Sequence, residues 1–293
     1  MDDTYSPLKS VPNFRDVGVI INGKEETKRL KTGLLYRGAR PDEATYLDRQ
    51  RLVKEFKVRT IIDLRTKTEH IEQAQKREAK IKSSAAVPQS NDEIAEPLKI
   101  PSVSYHELNF NGSAFSRMLI SQLSWMEFFR LAGLMLCGYR THAIRILAPK
   151  MEAMGLAGLA TQSLDVCTKE VKQFFDVLAD KESWPVMVHC TQGKDRTGLT
   201  VLLVLLLAGV DVAAVEHDYL MSDAELAPER EQRVKEISAI GLSEDFARCA
   251  PELVHAVHEH LETKYGGVSK YLESVGVSRA MQETVTHIIV DQA

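Results

Sequence analysis

Cys190 and Arg196 stand six positions apart in Val186-Met187-Val188-His189-Cys190-Thr191-Gln192-Gly193-Lys194-Asp195-Arg196-Thr197-Gly198, between a β-type apolar run and a long apolar run of helical type. A short loop from a strand into a helix can turn successive backbone N–H groups inward over the positive end of the helix, forming a cradle for phosphate. The same field favours a thiolate at Cys190, the form that acts as a nucleophile. Arg196 adds a planar fork that matches two phosphoryl oxygens. Gly193 falls where the backbone must turn tightly, and Thr197-Gly198 opens the helix. Thr191, Gln192, Gly193, Lys194 and Arg196 are therefore the expected phosphate-binding residues.

Cysteine six residues before arginine also arises by chance, and the competing reading is a buried structural cysteine ahead of a core helix. That reading leaves three successive charges, Lys194, Asp195 and Arg196, unexplained on a loop against the core. Lys194 is expected to add a second cation at the rim, or to balance Asp195. Thr197 could hydrogen-bond the thiolate or cap the helix, and His189 should orient the loop from the end of its strand. Arg15, Asp16, Arg37, Asp63 and Arg65 each end or follow a short strand, where they either line the mouth of the pocket or form buried ion pairs. For Asp63 and Arg65 mutual pairing is the simpler expectation. His255, His258 and His260 have spacing a metal could use, but they share a charged stretch with Glu252 and Glu259 and read as solvated. The chemistry expected at Cys190 needs no metal or other cofactor.

The elements that must position this loop read as alternating α and β. Asn22-Gly23 separates apolar runs at Val17 to Ile21 and Leu34 to Tyr36 as a hairpin turn would, so the chain is expected to open with strands. Tyr46 to Phe56 has helical spacing, Val58 to Leu64 reads as a buried strand, and Val103 to Phe110 as another. Lys76 to Pro101, with mixed charge, Pro88, Pro97 and Pro101, reads as an exposed connector. Two or three helices fit residues 113–178, then come the strand Val186 to Val188, a helix from Arg196 to about Gly209, and further helices. This pattern predicts one α/β domain over residues 1–293: a central, mostly parallel sheet flanked by helices, with a helical insertion or lid at about 113–180. Trp125, Phe128, Phe129 and Leu134 in that insertion could cover the pocket, meet a lipid tail, or pack on the sheet.

With 293 residues, 44% apolar and 27% charged, the chain has the composition of a globular domain, and a net charge of −4 offers no global attraction for nucleic acid. Four cysteines, Cys137, Cys167, Cys190 and Cys249, show neither a Cys-x-x-Cys pair nor zinc-ligand spacing. Met1-Asp2-Asp3-Thr4 lacks the basic and apolar parts of a signal peptide, and Leu199 to Val210 is shorter than the roughly 20 residues a membrane span needs. A cytoplasmic protein is expected, with peripheral lipid contact at most.

Asn13-Phe14-Arg15-Asp16-Val17-Gly18, Leu35-Tyr36-Arg37, Asp63-Leu64-Arg65 followed by Glu69, Asp218-Tyr219-Leu220 and Tyr265-Gly266-Gly267, in this order around the Cys190 loop, resemble the cysteine-dependent phosphatases. The likeness is to the bacterial and fungal tyrosine/serine phosphatase group that includes a mycobacterial phosphatase B. Val19 stands where a second glycine is usual and Gly38 where serine is common. The resemblance implies a phosphatase-like fold and two-step phosphoryl transfer through a cysteinyl-phosphate. It also implies an acid at Asp195, for which the alternative role is a salt bridge orienting Arg196 or Lys194. Some relatives carry an aspartate where this chain has Asn111, and an amide cannot donate that proton. Gly193-Lys194 through Gly198 is similar to loops of phosphoinositide phosphatases. The implied partners are phosphorylated proteins, lipids or small molecules. Rhodanese-like sulfurtransferases and arsenate reductases also hold a cysteine in an anion loop, but Arg196-Thr197-Gly198 argues against the first and the lack of a nearby resolving cysteine against the second. A non-catalytic phospholigand-binding module would not need Cys190.

Overall fold

A computed structural model describes residues 7–24, 30–84 and 99–291. Its five-stranded sheet has the order β1-β2-β5-β3-β4. These are Arg15–Asp16 (β1), Leu35–Gly38 (β2), Thr60–Asp63 (β3), Ser104–Glu107 (β4) and Val186–His189 (β5). The strands β2, β5, β3 and β4 run parallel, and only the short β1 pairs antiparallel, on β2. Alternation along the strands splits the core into two layers. Tyr36, Ile61 and Met187 pack with Leu8, Phe14 and Leu52 on one face. Leu35, Ile62, Val186 and Val188 pack on the other face with Phe174, Phe175 and Val201.

Helices α1 (Val17–Asn22), α2 (Tyr46–Lys54) and α3 (Lys67–Ser84) belong to the first half. The run Val17 to Ile21, expected as a strand, is helical. The Asp16 carboxylate accepts from the N–H groups of Gly18 and Val19 and starts a helix whose Val17 and Ile21, four apart, both face the core. A five-residue apolar run satisfies period 2 and period 3.6 alike, and the cap decides between them. The stretch from Lys76, expected as a connector, is helical to Ser84, because Glu, Gln, Ala, Lys and Arg fill α3. Residues 85–98 and the acidic N-terminus lie outside the described residues.

Four helices, not two or three, occupy the insertion: α4 (Ser113–Ser121), α5 (Trp125–Leu136), α6 (Arg140–Val166) and α7 (Thr168–Ala179). Ser124 and Glu127 form a reciprocal capping box that restarts the chain as α5. Gly138 at φ +79° separates α5 from α6, and Gly155 at φ +61° breaks α6. After β5 come α8 (Asp195–Leu207), α9 (Val212–Glu225), α10 (Arg230–Ala239), α11 (Leu253–His260), α12 (Val268–Ser274) and α13 (Arg279–Ile289). All residues of α8 from Thr197 to Leu205 are buried, which explains its unbroken apolar run. No helix among the described residues is long and apolar enough to cross a membrane.

Candidate active site

Register brings the ends of three parallel strands together: Gly38 of β2 and Asp63 of β3 both align with His189 of β5. Crevices at the carboxyl ends of parallel strands are where ligands bind in such sheets. Cys190 follows His189 directly and is buried, and the loop to Lys194 runs into α8.

The loop's carbonyls are held from outside. Asn13 Nδ2 donates to the carbonyls of Gln192 (3.0 Å) and Gly193 (3.1 Å). Arg37 Nη2 donates to those of Gly193 (2.9 Å) and Lys194 (3.3 Å), and the Arg40 N–H donates to that of Thr191 (3.3 Å). Among the described residues the N–H groups of Thr191, Gln192, Gly193 and Lys194 meet no backbone acceptor. Carbonyls tied outward and amides left without acceptors, at the start of a helix with no side-chain cap, make a built anion cradle. Gly193 permits the turn at φ +68°, and a Cβ there would lie 2.1 Å from the Gly38 carbonyl oxygen. Gly38 is confined less severely, since its own Cβ would meet Phe14 and Met187 at 3.2 Å.

The outer ties are themselves anchored. Asp218 accepts from Arg15 Nε at 2.7 Å and from Arg37 Nη1 at 2.5 Å, all three side chains being buried. Burial works to raise the Asp218 carboxyl, but Arg15 and Arg37 outweigh it and hold it below the usual carboxylate range. Arg15 also bonds the Asn13 side chain, so one network carries both residues that grip the loop. Asp16 caps α1 instead of joining it. The second-tier residues Arg15 and Arg37 thus take the ion-pair role. So do Asp63 and Arg65: Arg65 Nη2 donates to Asp63 Oδ2 at 2.6 Å, and Arg65 also pairs with Asp42. Burial works against the Asp63 charge, but His189 and Arg65 prevail and bring its pKa down to about 2. His189 Nδ1 lies 3.0 Å from the Cys190 carbonyl oxygen and its Nε2 3.6 Å from Asp63 Oδ2.

Glu69 is the site residue whose role sequence reasoning missed. It accepts from Arg196 Nη1 at 2.6 Å and Nη2 at 2.7 Å, and from the Thr191 hydroxyl. The second Nη1 hydrogen is taken by the Leu64 carbonyl at 3.2 Å. Counting the five N–H groups of a guanidinium, this leaves Nε–H and one Nη2 hydrogen, the parallel pair on one edge, for two phosphoryl oxygens. Burial works against both charges, yet the pairing holds Glu69 below the usual carboxylate range and raises Arg196. The available signal was Arg196 itself, a cation against a core that needs an anion partner.

A cavity of about 230 Å³ opens on Asp195 and Arg196. Asn111 and Ser163 are among its polar edges, and Phe115, Met151, Leu159, Phe246 and Leu253 among its apolar walls. The Asp195 side chain is 41% exposed, while its Oδ1, 3.5 Å from Lys194 Nζ, is buried without a hydrogen-bond partner. Lys194, expected at the rim, is 1% exposed and lines no part of this cavity. Its ammonium donates to the carbonyls of Phe246 (3.2 Å) and Arg248 (2.6 Å), so it ties the loop to the C-terminal helices. The Thr197 hydroxyl is buried without a partner. Trp125, Phe128 and Phe129 line no part of the cavity and are exposed, whereas α4 and α6 supply one side of its wall and Ile237, Leu242, Phe246 and Leu253 the other. Asn111 meets Cys167 Sγ at 3.4 Å. Burial pushes the Cys167 thiol up to about 12 and that of Cys249 up to about 11. Among the described residues no cluster suits a metal ion, and His260 pairs instead with Asp165 at 2.8 Å.

A model of the tyrosine phosphatase family matches residues 6–291. The chain is 34% identical over 118 residues to a tyrosine-protein phosphatase of Nostoc commune, covering 37% of this chain and 40% of that one. It is 33% identical over 115 residues to the triple specificity protein phosphatase PtpB of Mycobacterium tuberculosis, covering 33% of this chain and 40% of that one. Each match therefore spans well under two thirds of the relative's own length.

Proposed function

Since the chain belongs to the tyrosine phosphatase family, we propose that it hydrolyses phosphomonoesters through a cysteinyl-phosphate. The observation that carries this reading is the loop itself: carbonyls gripped from outside, amides without acceptors, and one edge of Arg196 left unbonded beside Cys190. Cys190 thiolate attacks phosphorus, forming the S–P bond as the P–O bond to the leaving group breaks. The loop amides and Arg196 stabilise the equatorial oxygens. The leaving oxygen takes a proton from Asp195, which shares the cavity with Arg196. Water then attacks phosphorus and gives a proton back to the Asp195 carboxylate, the S–P bond breaks, and phosphate leaves with the thiolate restored. The partnerless Thr197 hydroxyl at the start of α8 is a donor suited to that thiolate.

Protein phosphotyrosine is our first substrate, because the apolar cavity that opens on Asp195 and Arg196, next to Cys190 but not lined by it, suits an aryl leaving group better than a short polar one. Phosphoserine and phosphoinositides follow. We take the insertion at about 113–180 as a roof over this pocket through α4 and α6 alone, with Phe115 and Met151 facing it and α5 turned away, and the cytoplasm as the compartment, since Cys137, Cys167, Cys190 and Cys249 are all free thiols. Phosphate release from phosphotyrosine peptide, phosphoserine peptide and phosphatidylinositol phosphates tests the assignment. The aryl ester should turn over fastest, and a chain that prefers phosphoserine would refute the aryl argument. Asp195→Asn should slow phosphotyrosine turnover by about 10²–10⁴ while sparing para-nitrophenyl phosphate, whose leaving group needs little protonation. Equal losses on both esters would deny Asp195 the acid role.

A further inference from the structure

We propose that α5 and its flanks form a surface that docks on an anionic lipid bilayer. Of the twelve large hydrophobic side chains exposed among the described residues, eight lie between Trp125 and Ile144. They are not scattered. Trp125, Phe129 and Leu136 fall at spacings of four and seven, one stripe of the helix, and are 79%, 64% and 89% exposed; Met126 beside them is 83% exposed. Leu131, on the opposite side of α5, is buried. The Trp125 and Phe129 rings stack at 6.0 Å and the Phe128 ring meets Phe129 edge-on at 5.7 Å, so the aromatic groups pack on one another in water and not in the core. The capping box fixes the first turn of the helix that carries them.

The charge of this region identifies the occupant. In a chain of net charge −4, residues 113–150 contain Arg117, Arg130, Arg140, Arg145 and Lys150 against one acid, Glu127. Arg117 and Arg130 are exposed on α4 and α5. Exposed aromatic and aliphatic groups with Arg130 on the same helix and a basic excess in the surrounding stretch, in a protein acidic elsewhere, match an interface of acyl chains under anionic headgroups. A protein partner of mixed charge would not call for this segregation. The surface goes beyond the hydrolase reading and stands without it.

Co-sedimentation of the full chain with vesicles tests the surface without using turnover. The wild type should pellet with phosphatidylcholine–phosphatidylserine vesicles, remain in solution with phosphatidylcholine alone, and release as salt is raised. Trp125→Ser/Phe129→Ser/Leu136→Ser should lower partition at least about tenfold, and Arg117→Glu/Arg130→Glu should abolish the preference for anionic vesicles. Both variants alter exposed residues, so circular dichroism and para-nitrophenyl phosphate hydrolysis should match the wild type. Wild type that stays in solution with anionic vesicles, or a triple variant that pellets as well as wild type, would overturn the proposal. So would self-association of the wild type that the triple substitution abolishes while neither protein binds vesicles, since a second copy would then own the face.

Discussion

Arg196 is useful only if its guanidinium plane is fixed before phosphate arrives. Glu69 fixes it by accepting from both Nη atoms, and the cost of any misplacement falls on the transition state. Glu69→Gln should therefore lower kcat by about 10²-fold, with the fold intact by circular dichroism. An unchanged kcat would remove Glu69 from the positioning of Arg196. Cys190, Gly193 and Arg196 were legible as members of a loop between strand and helix because an apolar β-type run and a long apolar helical run flank them. Glu69 was visible only as a family signature, since nothing in spacing says which acid meets a given arginine across 127 residues. Lys194 was misplaced because a loop lysine can point to the rim or away from it, and the carbonyls of Phe246 and Arg248 that capture it come from far along the chain. Asp63 also carries a pH dependence. Its folded pKa of about 2 lies below the roughly 4 of an unfolded aspartate. As pH falls the unfolded chain takes up this proton first, so the stabilisation is complete above about pH 4 and lost between about 4 and 2. Thermal midpoints of Asp63→Asn should depend less on pH than the wild type over this window. Parallel curves would show that another carboxylate governs acid stability.

Loop and sheet are coupled through Asp218 on α9, which balances Arg15 of β1 and Arg37 of β2. Asp218→Asn leaves two buried guanidinium groups without a counter-charge and should destabilise the protein by about 3–5 kcal/mol in denaturant titration. A loss below 1 kcal/mol would mean that the carbonyl contacts suffice alone. Gly193→Ala forces a Cβ against the Gly38 carbonyl at a positive φ and should cost about 1–3 kcal/mol while impairing phosphate binding. Full stability together with full activity would contradict the assigned loop geometry. At this scale β3 and β5 were readable from short runs rich in Val and Ile, and α8 from an apolar run too long for a strand. The first apolar run was not, because a five-residue stretch fits strand or helix and a capping carboxylate settled it. The connector from Lys76 was misread because mixed charge describes an exposed helix as well as a loop.

Over the described residues, a parallel sheet aligns three strand ends, a buried helix aims its start at their crevice, and the helical insertion and the C-terminal helices together wall the cavity beside it. The alternating order of elements announced the sheet, whereas helical periodicity in the insertion could not say which stripes face the cavity and which face water. Phe115 and Met151 went one way and Trp125 and Phe129 the other, decided by the break at Gly155 and the packing of α4 and α5 on α6. The central claim is that Cys190, set in this cradle, is a nucleophile toward phosphorus. Phosphate release from para-nitrophenyl phosphate by wild type and Cys190→Ser tests it most directly. The structure predicts steady turnover by the wild type and none by Cys190→Ser, with vanadate still bound by the variant through the loop amides and Arg196. Release by Cys190→Ser at the wild-type rate, or by neither protein, would contradict it.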